Sequence, residues 1–274
     1  MEKLENKFKQ SEIYNDFFCG ENNKNVRKDK SYGKNVFAEF LYGSQNYGLD
    51  TAESDTDTRT IVIPDLECLI EKKDISKTIE LSKGLSDVKD IKTMFKQFYK
   101  SNPAYLELLV SDYAVFAPAH KYEFDQLREM ADEIASRDKK ALVYASYGMV
   151  CNKVSALVSS LGPDKKEIVK YGYDSKNASH ALRIEEFIHR FLSGATLKYS
   201  LYAKSYDCYQ TIIDLREHRY SLEEALELGR RAYANVGALC DKEFEKPNKE
   251  ITEFLDDIAY SVIKRETKLE LSMD

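Results

Sequence analysis

Two aspartates, Asp55 and Asp57, stand just ahead of the apolar run Ile61 to Ile63, within the stretch FAEFLYGSQNYGLDTAESDTDTRTIVIP at positions 37–64. In extended chain residues i and i+2 point to one face, so the carboxylates share a side at roughly 7 Å between Cα atoms. Like charges at close range raise one another's pKa unless a cation sits between them. An all-oxygen pair suits a hard ion such as Mg²⁺, which takes one or two carboxylates and completes its shell with phosphate oxygens. The Gly43-Ser44 turn upstream supplies the complementary half. Gly43 has no Cβ and lets backbone N–H groups come close to a phosphate, and the Ser44 hydroxyl can donate a hydrogen bond. A strand, a glycine-serine turn and a chelating D-x-D together read as a nucleotide site.

The elements that must position these groups follow from pattern. Val36 to Tyr42 reads as a first strand and Thr58 to Ile63 as a second, stopped by Pro64, which cannot donate to a ladder. Thr78 to Ser82 is a third candidate, and Ser86 to Lys89 is a short extended piece. It leads into a helix whose apolar stripe is Ile91, Met94, Phe95, Phe98 and Tyr99. Asn102-Pro103 has the form of an N-cap and an N1 proline, opening a helix through Val110. From about Pro118 the pattern is helix after helix: one marked by Phe124, Leu127, Met130 and Ile134, one over Leu142 to Leu161 ended by Gly162-Pro163, and one over Ser175 to Leu192. A capping box at Ser221-Glu224 opens a helix to about Cys240, and Asn248 starts the last. Residues 1 to about 18 have the loose apolar spacing of a short amphipathic helix, and Cys19 to Lys34 reads as a polar loop, either a substrate cover or a linker. The expected fold class is α+β, a small mixed sheet with helices followed by an all-helical part, divided into domains at 1–117 and 118–274.

Composition bounds the function classes. With 274 residues, 43% hydrophobic and 32% charged, the chain can bury one large core or two modest ones. No apolar run reaches the length of a membrane span and the start lacks an apolar signal region, so a cytoplasmic protein with no membrane partner is expected. Cys19, Cys68, Cys151, Cys208 and Cys240 are odd in number and widely spaced, which speaks against a disulfide partner or a zinc site. The net charge of -6 demands no nucleic acid, yet the segment 164–204 is locally basic.

That basic segment holds a second constellation. On a helix beginning near Asp174, Lys176, His180 and Arg183 fall at i, i+4 and i+7, on one face and near an N-terminus that favours anions. Such a stripe makes a triphosphate clamp. The alternative is a solvated face on which Lys176 and Arg183 pair with Asp174, Glu185 or Glu186 and His180 is an interface residue.

The string Gly43-Ser44, Tyr47-Gly48, Ser54-Asp55-x-Asp57-x-Arg59 resembles the signature of the DNA polymerase β-like nucleotidyltransferase superfamily, in the branch known as the RNA-repair-pathway DNA polymerase β family. That family's Asp-x-Arg is usually followed by glycine, where this chain has Thr60. The run Asp87-Val-Lys, Phe95, Asn102-Pro103, Glu107-Leu-Leu is similar to a second family block, and Gly172-Tyr-Asp-x-Lys176-x-x-x-His180-x-x-Arg183 to a third. The resemblance implies a polymerase-β-like head and transfer of an NMP from an NTP such as ATP to an acceptor hydroxyl. It implies two Mg²⁺ or Mn²⁺ ions on Asp55, Asp57 and a third carboxylate, for which Asp87 is the candidate and Asp90 the competitor, read instead as a helix-start acid. Nucleotide binding falls to Gly43, Ser44, Arg59, Lys176, His180 and Arg183, with Arg59 supporting the carboxylates or touching a phosphate. Glu107 reads as structural. The acceptor is an RNA, a protein or a small molecule. A degenerate nucleotide-binding module without transfer activity and a purely structural protein are the competing readings.

Overall fold

The computed structural model describes residues 35–51, 54–81, 84–157 and 165–272. The helix and loop expected over 1–34 and the Gly162-Pro163 stop lie outside them. The chain runs through β1 (Asn35–Leu41), α1 (Ser44–Tyr47), β2 (Thr58–Ile63), α2 (Leu66–Ile70), β3 (Ser76–Leu81), β4 (Gly84–Asp90), α3 (Ile91–Tyr99), α4 (Pro103–Val110) and β5 (Ala114–Phe116). It is helical thereafter: α5 (Lys121–Glu129), α6 (Ala131–Ser136), α7 (Lys139–Ala156), α8 (Lys165–Tyr171), α9 (Ser175–Leu192), α10 (Leu197–Leu201), α11 (Tyr209–Arg216), α12 (Leu222–Leu239) and α13 (Lys249–Leu271). The α+β expectation is met, with a mixed β/α region first and an all-helical region second.

The sheet order is β3-β4-β2-β1-β5. β2 and β4 are parallel, while β1 pairs antiparallel with β2 and β5, and β3 with β4. β2 is central and buried at every residue, with three apolar side chains joined by Thr60, whose hydroxyl pairs with that of Ser86 at 3.1 Å, and by Arg59, which pairs with Asp87. The β2/β4 register sets Arg59 opposite Asp87. β5 is too short to show alternation in sequence, and it closes the sheet edge against β1.

Local chemistry fixes the helices that carry the site. Asp90 ends β4 and caps α3 by accepting the Thr93 N–H at 2.7 Å, so this acid is a cap, as its position before the apolar stripe predicts. Ile91, Met94, Phe95 and Phe98 then bury one face of α3, each contributing about 2 kcal/mol by area removed from water. Asp174 caps α9 through the Asn177 N–H at 2.7 Å. On the inner side of α9, Ala178, Ala181, Leu182, Ile184, Phe187 and Ile188 are buried. One core runs from β1 and β2 through α3 and α4 into α7, α9 and α12; a smaller cluster of Val62, Ile75 and Val88 forms separately. α13 returns to the sheet region, where Tyr99 Oη donates to Asp256 at 2.6 Å and the Leu66 N–H donates to Glu270 at 2.9 Å. Among the described residues no helix is long and apolar enough to cross a membrane.

Candidate active site

A cleft of about 850 Å³ opens between the sheet region and the helices, with Gly43, Ser44, Asp55 and Asp57 on one wall and Lys153, Lys176, His180, Arg183 and Arg216 on the other. Gly43 has φ 87° and ψ -143°, backbone angles that favour glycine, while a Cβ built there meets no atom within 4 Å. Conformation, not crowding, requires glycine at this turn. The first N–H groups of α1 have no partner inside the helix, and the Ser44 side chain lines the cleft beside them. Asp57 is held from both ends: the Tyr42 N–H donates to its carbonyl at 3.0 Å, and the Leu85 N–H to its Oδ1 at 3.1 Å. Asp55 is exposed, and its carbonyl accepts from Gln45 Nε2 at 3.0 Å.

Asp87 and Arg59 have a different setting. Asp87 Oδ2 lies 3.0 Å from Arg59 Nη2, and Oδ1 lies 2.9 Å from Lys89 Nζ. The Arg59 guanidinium is sandwiched between the rings of Tyr42 and Tyr105, at 4.5 and 4.4 Å from their centroids, and donates to the Ala104 carbonyl at 2.7 Å. Neither residue is among those lining the cleft. The geometry gives Arg59 a carboxylate partner, Asp87.

The helical wall brings Lys176, His180 and Arg183 together as their spacing predicts. Arg183 is only 5% exposed, and its guanidinium lies 3.6 Å from the Tyr47 ring centroid. The acids that might have neutralised it are engaged elsewhere. Asp174 caps α9, Glu185 accepts from Asn235 at 2.6 Å, and Glu186 accepts from Arg190 at 2.8 Å. Neither Lys176 nor Arg183 forms an ion pair with a described residue, and Arg183 is buried and not on a solvated face. Burial lowers the Arg183 pKa, against the opposing pull of Tyr206 and Glu107.

His180 is not a third cation on this stripe. Burial, followed by Arg183, Lys153, Lys176 and Arg216, holds its pKa well below the ordinary histidine value, so the imidazole is neutral at pH 7. Lys153 is likewise depressed by burial and by its cationic neighbours, with Asp174 pulling the other way. Sequence reasoning missed Lys153 and Arg216. The first is an isolated charge on the apolar stripe of α7, and the second ends a helix that leaves little periodic trace. Glu107, on α4, stands at the floor of the cleft. Burial raises its pKa to about 8 despite Arg183 and the Gly43 backbone, so this carboxyl is mostly protonated at neutral pH. At the rim, Tyr171 stacks on His218 at 3.7 Å between centroids, and Glu167 joins His218 to Ser175.

Among the described residues no three His, Cys, Asp or Glu side chains stand together as a metal-holding group. The donor chemistry of Asp55 and Asp57 nonetheless fits a hard cation. Both carboxylates line the cleft, and neither forms an ion pair with a described residue. Such a pair matches an ion that takes its remaining ligands from substrate phosphates and water.

The sequence profile of the RNA repair pathway DNA polymerase beta family matches residues 21–184, a span that holds both the Gly43-to-Asp57 wall and the Lys176-to-Arg183 stripe. No curated protein matches the chain. A nucleotidyltransferase-like protein from Exiguobacterium sibiricum 255-15 is similar over 79% of this chain and 73% of its own, at 10% identity and a TM-score of 0.33. That likeness is too distant to carry argument.

Proposed function

The chain belongs to the RNA repair pathway DNA polymerase beta family, and from that membership we propose that it is a metal-dependent nucleotidyltransferase, moving an NMP from an NTP such as ATP to an acceptor hydroxyl with release of pyrophosphate. The observation that carries the reading is Arg183, a buried guanidinium facing a cleft with no ion-pair partner among the described residues. A buried charge without a partner is strongly disfavoured, and a triphosphate is the anion the surrounding groups suit. Residues 1–117 act as the catalytic head, and 118–274 complete the nucleotide site.

Ser44 and the backbone amides of the Gly43 turn hold phosphate oxygens, and Lys176 and Arg183 hold the triphosphate tail and stabilise the charge that grows on departing pyrophosphate. His180, neutral among cations, donates one N–H to a phosphate oxygen without adding to the local repulsion. Mg²⁺ or Mn²⁺ on Asp55 and Asp57, with Asp87 as third ligand, would supply a more acidic attacking hydroxyl and charge neutralisation on the leaving side. The acceptor oxygen attacks the α-phosphorus, the bond to the β-phosphate oxygen breaks, and the hydroxyl proton passes to cleft water. Arg59 positions Asp87 rather than touching substrate.

A labelled-NTP assay with Mg²⁺ or Mn²⁺ against RNA, protein and small hydroxyl acceptors tests this. Transfer by wild type and its loss in a folded Asp57→Ala variant are expected; equal transfer by both would end the enzyme reading. A degenerate nucleotide-binding module is favoured by one observation, the engagement of Asp87 with Arg59 and Lys89. NTP binding without transfer to any acceptor is its signature in the same assay.

A further inference from the structure

At the rim of the cleft three rings form a ladder that rises out of the core. Tyr173, the lowest, is fully buried, and its hydroxyl donates to the Tyr220 carbonyl at 3.1 Å. His218 lies tilted against it at 5.3 Å between centroids, and Tyr171 stacks on His218 at 3.7 Å with 13° between the planes. The middle ring is held from two sides. His218 follows the C-cap of α11 with φ 56°, a left-handed backbone that usually belongs to glycine. Its N–H donates to the Leu215 carbonyl at 3.1 Å and the Arg219 N–H to the Asp214 carbonyl at 2.9 Å, the two bonds that close a helix in this way. Its Nε2 meets Glu167 at 2.5 Å, and Glu167 also accepts from the Ser175 hydroxyl at 2.6 Å, which ties α8, α9 and α11 together. The top ring is open: Tyr171 is 39% exposed and lines the cleft. Among the described residues its remaining neighbour is the Lys170 ammonium, 4.6 Å from the ring centroid. Lys170 is exposed, and a cation on an exposed ring binds more weakly than a stacked base.

We propose that Tyr171, backed by His218, is the seat for the base of the NTP and that the base it selects is a purine. The inference rests on the transferase reading and names the base that its donor carries. The order of groups along the cleft supports it. Glu107 adjoins both Arg183 and the Gly43 backbone, so the buried guanidinium and the glycine turn meet at the closed floor. Lys176 stands seven residues earlier on α9, about 10 Å along the helix axis, which is close to the length of a triphosphate chain. Beyond Lys176 come Ser175, Glu167 and Tyr171, at the rim. A triphosphate with its tail on Arg183 therefore delivers its nucleoside to Tyr171. Asp55 is exposed and belongs to the same open part of the cleft, where the α-phosphate then sits. The opposite end offers the base no place. Tyr47 and Glu107 close the floor there, and the cavity behind them, about 590 Å³ and lined by Tyr113, Tyr199, Tyr202, Lys198 and Lys204, lies past the tail. A ring platform accepts every base through its π-face, and a purine covers more of the ring than a pyrimidine, so stacking strength sets the preference.

Calorimetry with ATP, GTP, CTP and UTP, and with inorganic tripolyphosphate as the probe that has no base, all with Mg²⁺, separates the seat from the phosphate groups. The wild type should bind ATP and GTP about threefold more tightly than CTP and UTP. Tyr171→Ala should weaken ATP and GTP about tenfold, erase the difference among the four NTPs and leave tripolyphosphate binding as it was. Tyr171→Phe, which keeps the ring, should recover most of the lost affinity. Tyr171→Leu, apolar but without a flat ring, repeats the measurement should the alanine variant not fold. An unchanged ATP affinity in Tyr171→Ala and Tyr171→Leu overturns the proposal. So does an equal fall for tripolyphosphate, since Tyr171 would then support the phosphate groups and not a base, and equal affinity of the wild type for all four NTPs overturns the purine assignment. The two readings fail differently. Binding of NTPs and tripolyphosphate that is indifferent to Tyr171 strikes the base seat alone; a wild type that binds neither tripolyphosphate nor any NTP strikes the transferase reading and the base seat with it.

Discussion

Asp87 on the sheet side of the site and Arg183 on the helical side are both charged and both largely withdrawn from water, with side-chain exposure of 21% for the first and residue exposure of 5% for the second. The resemblance ends there. Asp87 is held by two cations, each at hydrogen-bonding distance, whereas Arg183 has a tyrosine face and no ion-pair partner among the described residues. The carboxylates that remain unpaired on the sheet side, Asp55 and Asp57, sit nearer to water, where an unpaired charge costs little. The helical wall carries its unpaired charge in the interior, where the penalty is several kcal/mol. A free carboxylate pair can therefore await its cation from solution. The arginine is fixed in place by the core behind α9, and the wall is set for an anion before one arrives.

Breaking the two walls in turn should give unequal outcomes. The largest effect is expected at the carboxylates, where Asp57→Ala lowers transfer about a thousandfold, measured by labelled-NTP turnover. Asp87→Asn is expected to fall with it; retention of more than about a tenth of the wild-type rate would confine Asp87 to holding Arg59. Next comes Arg183→Met, which should weaken ATP binding about ten- to a hundredfold in calorimetry, the range for lost charge-assisted hydrogen bonds. Because the ligand-free arginine is destabilising where it stands, the Tm of the ligand-free variant should hold or rise; a marked fall would show that Arg183 serves the fold.

The buried acids give a third test. Burial raises both Glu39 and Glu107 from 4.5 to about 8. Between those values the unfolded chain has lost protons that the folded chain keeps, so stability is full below about 4.5 and is lost as pH rises through about 8. The loss is about 1.4 kcal/mol per pH unit for each group. Glu39→Gln should halve the slope of unfolding free energy against pH in that window, and an unchanged slope would place the titration elsewhere. The smallest effect concerns His180. A bound triphosphate offsets the cations that hold its pKa down, so ATP binding near pH 6 should take up a fraction of a proton, read from calorimetry in buffers of different ionisation enthalpy. His180→Gln should abolish the uptake.

How much of this was legible depended on whether the signal was local. Helix α9 could be read to its ends, because Asp174 caps it and a long apolar stripe follows. Asp90 and Asn102-Pro103 were equally readable as helix starts. The D-x-D and the Gly-Ser turn are contiguous and announced the cleft. Lys153 and Arg216 were not legible, since each is a lone cation whose role arises only when α7 and α11 are brought beside α9. Arg59 showed the limit differently: strand alternation put it on the Asp57 side, but only the parallel register with β4 and the two tyrosine rings decide that it holds Asp87. The cavity lined by Tyr47, Tyr113, Tyr199 and Tyr202 draws its tyrosines from three separate places in the chain and has no sequence motif at all.

The return of α13 to the sheet region has a mechanical consequence. No residue beyond Arg216 lines the cleft, yet the last helix fastens to Leu66 and Tyr99, and the turn before it to Arg137 through the Asn248 N–H at 2.8 Å. It works as a strap between the sheet region and the helical region, alongside the core that the two share. Cutting the chain before Asn248 would leave each side chain of the cleft in place on its own element while loosening the distance between the walls, so that a protein with an intact inventory would lose its alignment.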